Sequence, residues 1–590
     1  MKKLLFLMFI FSFSVLLFSQ NKDNWLTYYE KSNFLETPNY DLTIDFCKKL
    51  EKASPYVKYF TFGKSCEDRD LPALLISKTR SFTPELQKKS KKALVMIQCG
   101  IHAGEIDGKD AMLLLVRDIV IYKKYQNLLD NVDILIIPIF NVDGHERISP
   151  YNRINQNGPK EMGWRVNALN LNLNRDYLKA DALEMKYWLK LFNSWMPDFF
   201  VDCHVSDGAD WPYTAMYEVE KNQNINKEIA SWTKEKLLPY VLSTCEKNGH
   251  PLIPYIGFID EFDITKGISS GIMPPRLSTG YTAIRNRQGF LIETHSYKNY
   301  KTRVDATYQI CKAILEILNK EYKTIKELNK KADEELEKCY YNIQSFPISF
   351  KNNNNYIPFT FYSYKMITEK SVISGTTRRY YDTSVLEKHE IPYYNSVDPI
   401  ISVKPPYGYI IPKQWSSLVE ILKLHNVKVL NFEKDQRLNV TGYRLSEPRW
   451  QEKSYEGRHF VSYKSEMFSN DTLIKKGSYF VPINQQSAKV IMYLLEPISN
   501  ESFVSWGFMD AIFEQKEYAE RYVLEKYALQ LYNDDKELRK EFDNLVKNDS
   551  SFASNPFKRL NFFYQKLPYY DKYIGVYPIL RVENEFKLIN

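Results

Sequence analysis

Cysteine is scarce in this chain of 590 residues: seven, an odd number, widely spaced and without a Cys-x-x-Cys pair. A disulfide framework is unnecessary at this length, although one or two bridges could form outside the cytosol. Glycine (21) and proline (27) are too few for collagen-like or low-complexity classes. Charge of one sign is not concentrated either. Lys and Arg number 80 against 72 Asp and Glu, a net +8 with no long basic block, so a nucleic-acid partner is not indicated. Long apolar runs are missing beyond the N-terminus, which predicts no stable membrane insertion of the mature chain. What remains is a near-normal apolar fraction of 44%, which excludes wholesale disorder. At roughly 100–200 residues per domain the length predicts two or three domains.

Residues 1–19, MKKLLFLMFIFSFSVLLFS, place Lys2 and Lys3 before an apolar stretch from Leu4 to Phe18 and the small residue Ser19. That stretch is shorter than the ~20 residues a bilayer core needs, so it reads as a cleaved secretory signal peptide, with an uncleaved anchor as the alternative. No cysteine follows it to accept a lipid. The protein is expected to be secreted or periplasmic, with a bacterial lean.

From about 40 to 300, apolar strand-like runs (92–100, 132–140, 198–204, 289–295) alternate with helix-period segments (107–125, 181–192), each helix opening on an aspartate at a plausible cap. This predicts an α/β fold with a mixed, mostly parallel sheet sandwiched by helices, whose ligands gather at the carboxyl ends of the strands. A Lys/Glu-rich helix over 303–340 closes the region. The expected organisation is a signal peptide at 1–19, a catalytic domain at 20–340 and an accessory α+β C-terminal region at 341–590. In that last region short Tyr/Ile/Val runs extend to about 490, helical patterns return at 515–547, and nothing points to chemistry.

The first strand ends in Gly100-Ile101-His102-Ala103-Gly104-Glu105. A His and a Glu three apart can turn an imidazole nitrogen and a carboxylate to one ion, though alone such a pair is weak evidence. Residues Phe200, Asp202 and His204 share a face of the next strand, with Cys203 on the other. His102, Glu105 and His204 together make an open two-His, one-Glu zinc site of the catalytic kind. Asp202 is either a partner of the ligand His204 or a buried structural carboxylate. Glu293 interrupts an apolar strand, where a carboxylate is costly unless paired or functional; it is a candidate general base, with a salt-bridged structural role as the alternative. Arg175 beside Asn174 suits recognition of a carboxylate, and Arg165 could stabilise an oxyanion.

The ordered set H-x-x-E, Asn-Val-Asp-Gly (141–144), R-x-N…L-N-R, D-x-H and an apolar strand with Glu resembles the zinc carboxypeptidase family of carboxypeptidases A and B. GKSCEDRDLPALLIS (63–77) resembles that family's early strand pair. The likeness spans roughly residues 40–310. It implies one Zn2+ on His102, Glu105 and His204, Glu293 as general base, Arg165 at the oxyanion, and Asn174 with Arg175 on the substrate's terminal carboxylate. It also implies a mobile tyrosine, for which Tyr281 is the candidate and core packing the alternative. The chain departs from the family in having Asn172 where many members have Asp, so a ligand His would lean on an amide oxygen. Its H-x-x-E loop lacks the Arg of digestive members, and only about 20–30 residues precede the catalytic pattern, so a pancreatic-type zymogen is not expected.

Arg276, Arg285 and Arg287 precede Glu293 in the region that shapes the family's specificity pocket; they would either make it basic or form salt bridges. His295 shares the side of Glu293 and could serve near the site. His145 reads as a loop residue, and His250, His389, His425 and His459 as solvated or structural. The resulting expectation is a secreted zinc metallocarboxypeptidase acting on peptide or protein C-termini. The alternatives are a zinc amidase or deacylase acting on cell-wall peptides, or a binding protein with a vestigial site.

Overall fold

The computed structural model describes residues 24–589, so the leader-like residues 1–19 lie outside the described part. Among the described residues no helix is long and apolar enough to cross a membrane, and all seven cysteines are free thiols. The first part of the chain carries β1 (Val57–Lys64), β2 (Asp70–Ile76), β3 (Ala93–Cys99), β4 (Val132–Ile137) and β5 (Phe199–Ser206). It continues with β6 (Ala215–Glu218), β7 (Leu252–Pro254), β8 (Gly257–Phe258), β9 (Ile268–Ser269) and β10 (Gln288–His295). Eight of these form one sheet in the order β1-β2-β4-β3-β5-β10-β6-β7. Its centre, β4-β3-β5-β10, is parallel, while β2 and β6 bring antiparallel edges. The sheet is therefore mixed with a parallel heart, as expected.

Strands β3, β4 and β5 are buried at every position, because helices cover both faces; this is why they read as continuous apolar runs. On one face Val95, Ile97, Val201 and Ile292 share a core with helices Asp107–Val120 and Tyr300–Leu336. On the other, Met96 and Phe200 pack with Trp188 and Phe192 of helix Leu183–Trp195 and with Tyr281. The aspartates expected as helix caps are used otherwise. Ile106 and Ala182 occupy the N-cap positions without side-chain caps. Asp107 instead accepts hydrogen bonds from Arg303 Nε (2.9 Å) and Thr294 Oγ1 (2.7 Å), and Asp181 accepts two from Arg458 (2.7 and 2.8 Å). Guanidinium partners from distant chain segments out-compete the local backbone amides.

The second part holds β11 (Phe346–Asn352), β12 (Ile357–Lys370), β13 (Thr377–Tyr394), β14 (Val397–Val403) and β15 (Gly408–Ile411). After them come β16 (Leu430–Asn431), β17 (Gln436–Trp450), β18 (Val461–Ile474), β19 (Tyr479–Pro482) and β20 (Leu580–Val582). The runs that read as short are parts of two long hairpins, β12–β13 and β17–β18, whose many exposed positions break the apolar pattern. β13 pairs with β9 of the first part through Tyr393↔Ile268 and Tyr394↔Ser269. Helices Arg521–Asp534, Lys536–Asn548 and Pro556–Tyr564 build a separate small core around Phe542, Phe552 and Phe563. The larger core ignores the boundary near residue 340: Trp188 and Tyr281 share it with Leu418, Leu422 and Val481.

Candidate active site

Three parallel strands deliver the site. The loop Gly100–Glu105 leaves the end of β3, His204 sits near the end of β5, and Glu293 on β10 is in register with His204. Gly104 lets the loop turn inward: a Cβ there would meet Arg153 Cδ at 2.6 Å and the Gly163 carbonyl oxygen at 2.7 Å. The helix that follows is fixed through Asp107 to Arg303, a pair that is almost wholly buried.

His102, Glu105 and His204 form a cluster of potential metal ligands and all three are buried. His204 Nδ1 lies 3.2 Å from His102 Nδ1 and 2.9 Å from Glu105 Oε2, and His102 Nδ1 is 3.1 Å from Glu105 Oε1. Ligands bound tetrahedrally at zinc distances stand about 3.3 Å apart, so the donor set fits such an ion. The outward nitrogens are both engaged, as metal-ligating histidines require. His102 Nε2 meets Asn172 Oδ1 at 3.0 Å, the amide partner expected from the Asn172 departure. His204 Nε2 meets Asp202 Oδ2 at 2.8 Å, the position a partner of a ligating His204 would hold. Burial holds the His102 imidazole down to about 4, a neutral ring able to donate a lone pair. Burial pushes Glu105 up, but His102 and Arg153 outweigh it and keep the carboxyl well below its usual range.

The Glu293 carboxylate is partly exposed and makes no hydrogen bond or ion pair to any described residue. Its carboxyl is pushed up to about 8, chiefly by desolvation, with His204 opposing and Glu105 and Asp202 adding to the rise. A dication on the adjacent ligands would draw it back down. Arg165 Nη1 reaches Glu105 Oε1 at 3.0 Å with its side chain 44% exposed, so it faces the open side of the cluster. A second guanidinium went unnoticed in the sequence: Arg153 donates to Glu105 Oε1 (2.9 Å) and to the Val205 carbonyl (3.2 Å). It stands in no motif, in the segment YNRINQNG.

Asn174 and Arg175 lie beside the cluster and are used unequally. The Asn174 amide oxygen accepts from Ser278 N–H at 3.1 Å and its Nδ2 is 3.5 Å from His204 Nε2, so Asn174 is spent within the protein. Arg175 donates from Nη1 to the Asn174 carbonyl (2.6 Å) and from Nε to the Tyr455 hydroxyl (3.0 Å), leaving Nη2 without a partner among the described residues.

Tyr281 is not brought to the site. It is fully buried among Tyr177, Trp188 and Phe192, and its hydroxyl is committed to His425 Nδ1 (2.9 Å) and Arg285 (3.1 Å). Packing, the alternative reading, is what the structure has. Tyr255, which the sequence did not single out, stands in the electrostatic field of Glu293, Arg175 and Glu105, and burial pushes its phenol up to about 12. It lines a cavity of about 910 Å³ with Glu218, Ile256, Ile259 and Met273. Glu218 opposes Leu291 across β6 and β10, on the same face as Glu293 two residues along, and it forms no ion pair among the described residues. The three arginines expected to colour the pocket are all engaged: Arg276 with Glu501 (2.5 Å), Arg285 with Tyr281 and the His425 carbonyl, and Arg287 with Asp333 (2.8 Å). His295 ties the end of β10 to the Ala209 carbonyl at 2.6 Å. His145 is buried in the short helix Val142–Glu146 against Lys109 and Glu146.

Residues 43–251 match the family described as zinc carboxypeptidase; the match holds the three clustered ligands, Arg165, Asn174 and Arg175, and stops before Tyr255 and Glu293. Carboxypeptidase 2 of Trichophyton rubrum is 24% identical over 498 residues, 80% of this chain and 84% of its own length. Carboxypeptidase 2 of Trichophyton equinum is 24% identical over 499 residues, with the same shares. Among solved structures, a metallo-carboxypeptidase from Burkholderia cenocepacia aligns at 17% identity and a TM-score of 0.34, over 48% of this chain and 69% of its own.

Proposed function

On the premise that this chain is a metallocarboxypeptidase of the zinc carboxypeptidase family, we propose that it removes C-terminal residues from peptides with one Zn2+ held by His102, Glu105 and His204. When bound, zinc supplies a Lewis acid that polarises the scissile carbonyl and acidifies a water. Glu293 takes the proton of the attacking water and returns it to the departing amine. Arg165, on the open side of the cluster, stabilises the oxyanion that develops. Arg175 uses its unspent Nη2 on the substrate's terminal carboxylate, and Tyr255 takes the place at the site that Tyr281 cannot reach. The observation that carries this reading is Glu293, an unpartnered carboxylate in register with His204.

The cavity beside Tyr255 supports a preference as well. Its acidic group, Glu218, shares the cavity with Ile256, Ile259 and Met273 and with the polar Ser270 and Asn352, a mixed lining that suits a side chain with an aliphatic stem and a cationic end. The leader-like residues 1–19 support secretion or export to a periplasm.

The test is the mature protein with one equivalent of zinc and a peptide mixture in two forms, free and amidated at the C-terminus, followed by mass. Stepwise loss of single residues from the free form alone, abolished in Glu293→Gln, is the expected result. Inertness towards both forms, with turnover of cell-wall stem peptides instead, would move the reading to an amidase.

A further inference from the structure

A turn of the second half reaches Asn172 and Arg175 of the first. In the segment between β17 and β18, Tyr455 and Arg458 close a tight turn through paired backbone bonds, Tyr455 N–H to Arg458 oxygen (2.7 Å) and Arg458 N–H to Tyr455 oxygen (3.1 Å). The turn is pinned to the catalytic half at three points. Arg458 makes the two-bond clasp on Asp181 already described, Glu456 Oε2 accepts from the backbone N–H of Asn172 at 2.7 Å, and the Tyr455 hydroxyl accepts from Arg175 Nε at 3.0 Å. Glu456 holds φ at 51°, a left-handed conformation unfavourable for a non-glycine residue and sustained by these anchors. The Tyr455 ring is fixed in turn, stacked on Trp506 at 6.1 Å and beside Phe460 at 5.8 Å.

A phenol hydroxyl has one proton to give and two lone pairs. In Tyr455 a lone pair is used by Arg175, while the proton has no acceptor among the described residues. Next to it Arg175 Nη2 is also unspent. Two unsatisfied donors on adjoining, partly exposed side chains make a fork for one carboxylate, and charge-assisted bonds of this kind are the strong ones. We propose that Tyr455, delivered by the C-terminal half, binds the substrate's terminal carboxylate together with Arg175, and that Glu456 and Arg458 are positioning residues that hold it there. This rests on the carboxypeptidase reading above, and it gives the C-terminal half a direct part in substrate binding.

Tyr455→Phe removes the hydroxyl and keeps the stacked ring. In the full-length zinc enzyme it should raise KM for a free-acid peptide about 10–100-fold, the range for one hydrogen bond to a charged group, with kcat nearly unchanged. In the Glu293→Gln background, where the peptide is bound but not cut, its Kd measured calorimetrically should weaken by the same factor. Zinc stoichiometry and melting temperature should stay at wild-type values. Arg175→Ala should abolish most of the further effect of Tyr455→Phe, because the two act on one group. An active enzyme whose KM and Kd ignore Tyr455→Phe would overturn the proposal and leave the carboxypeptidase reading standing, as would losses from the two variants that simply add. A wild-type protein that neither cuts nor prefers the free acid over the amide would overturn both.

Discussion

Two carboxylates of the second half differ sharply in their partners from two of the first. Glu496 in the second half is wholly buried and accepts three hydrogen bonds, from the hydroxyls of Tyr409 and Tyr443 and from Arg581. Glu501 is likewise engaged, by Trp506 Nε1 (3.2 Å) and Arg276 (2.5 Å). In the first half Glu293 and Glu218 stand without an ion pair among the described residues, one beside the cluster of potential metal ligands and the other in the cavity that Tyr255 lines. A raised pKa does not separate the two groups, since burial pushes Glu501 up to about 7 and Glu293 up to about 8. Partner count does. A carboxylate held by several donors is holding structure, and one left open is waiting for a ligand or a proton.

The comparison breaks most visibly if the two kinds respond alike to the same isosteric change. Glu293→Gln should lower kcat by ~10²–10⁴-fold, the worth of general acid–base help, and leave the melting temperature close to wild type. Glu496→Gln should do the reverse, because removing the charge from a buried pair costs about 3–5 kcal/mol of stability. Thermal melts and steady-state kinetics on both variants decide it. Equal loss of stability in both would mean that partner count does not mark function here.

A smaller effect sharpens the same contrast at the metal. Asn172 is bonded to both halves: its Oδ1 supports His102, and its N–H donates to Glu456. Asn172→Asp places a carboxylate behind His102 and should tighten zinc binding by about 10-fold or more, since such supporting groups are worth 10–100-fold in affinity. Chelator competition measures it. An unchanged zinc affinity would mean that the amide already orients the ring as well as a carboxylate does.

The parallel heart of the sheet and the gathering of three potential metal ligands were legible in the sequence because both are written locally. Buried strands appear as apolar runs, and His102, Glu105 and His204 sit at strand ends that the runs themselves mark. Asn172 behind His102 was legible too, as a departure from a pattern. What stayed hidden depends on distant chain segments. Tyr281 has a sequence context as suggestive as any tyrosine here, yet its hydroxyl is claimed by His425, 144 residues away. Tyr455 reaches Arg175 across 280 residues, and Arg153 lies outside every motif. The long hairpins were misread because their strands are half-exposed and carry no continuous apolar stripe.

Glu218 gives the next test of an open carboxylate. If its vacancy serves a cationic substrate side chain, Glu218→Gln should lower kcat/KM for peptides ending in lysine or arginine by roughly 10-fold, the loss expected for one charge-assisted contact. Peptides ending in leucine should be affected little or favoured. A wild-type enzyme that prefers acidic ends, or a Glu218→Gln variant with an unaltered preference, would mean that this carboxylate is a buried neutral acid without a partner in the reaction.

The smallest effect lies where the halves meet. His425 of the second half is fully buried, accepts from the Tyr281 hydroxyl at Nδ1 and contacts the Leu178 carbonyl through Nε2 at 2.9 Å. Burial, with Arg285 adding to it, depresses the imidazole to about 3. The unfolded chain therefore binds a proton near pH 6.5 that the folded chain refuses until about pH 3. Stability from this group is present above pH 6.5 and falls as the pH drops, by about 1 kcal/mol between pH 6 and 5. His102 and His145 slope the same way, so the measurement is a difference: denaturant unfolding of wild type and His425→Gln across that interval. The glutamine can keep both hydrogen bonds but cannot titrate, and its curve should be flatter by that amount. Parallel curves would show that the interface opens before the core does, exposing His425 to water while both halves stay folded, and the shared apolar cluster would then not bind the halves into one cooperative unit.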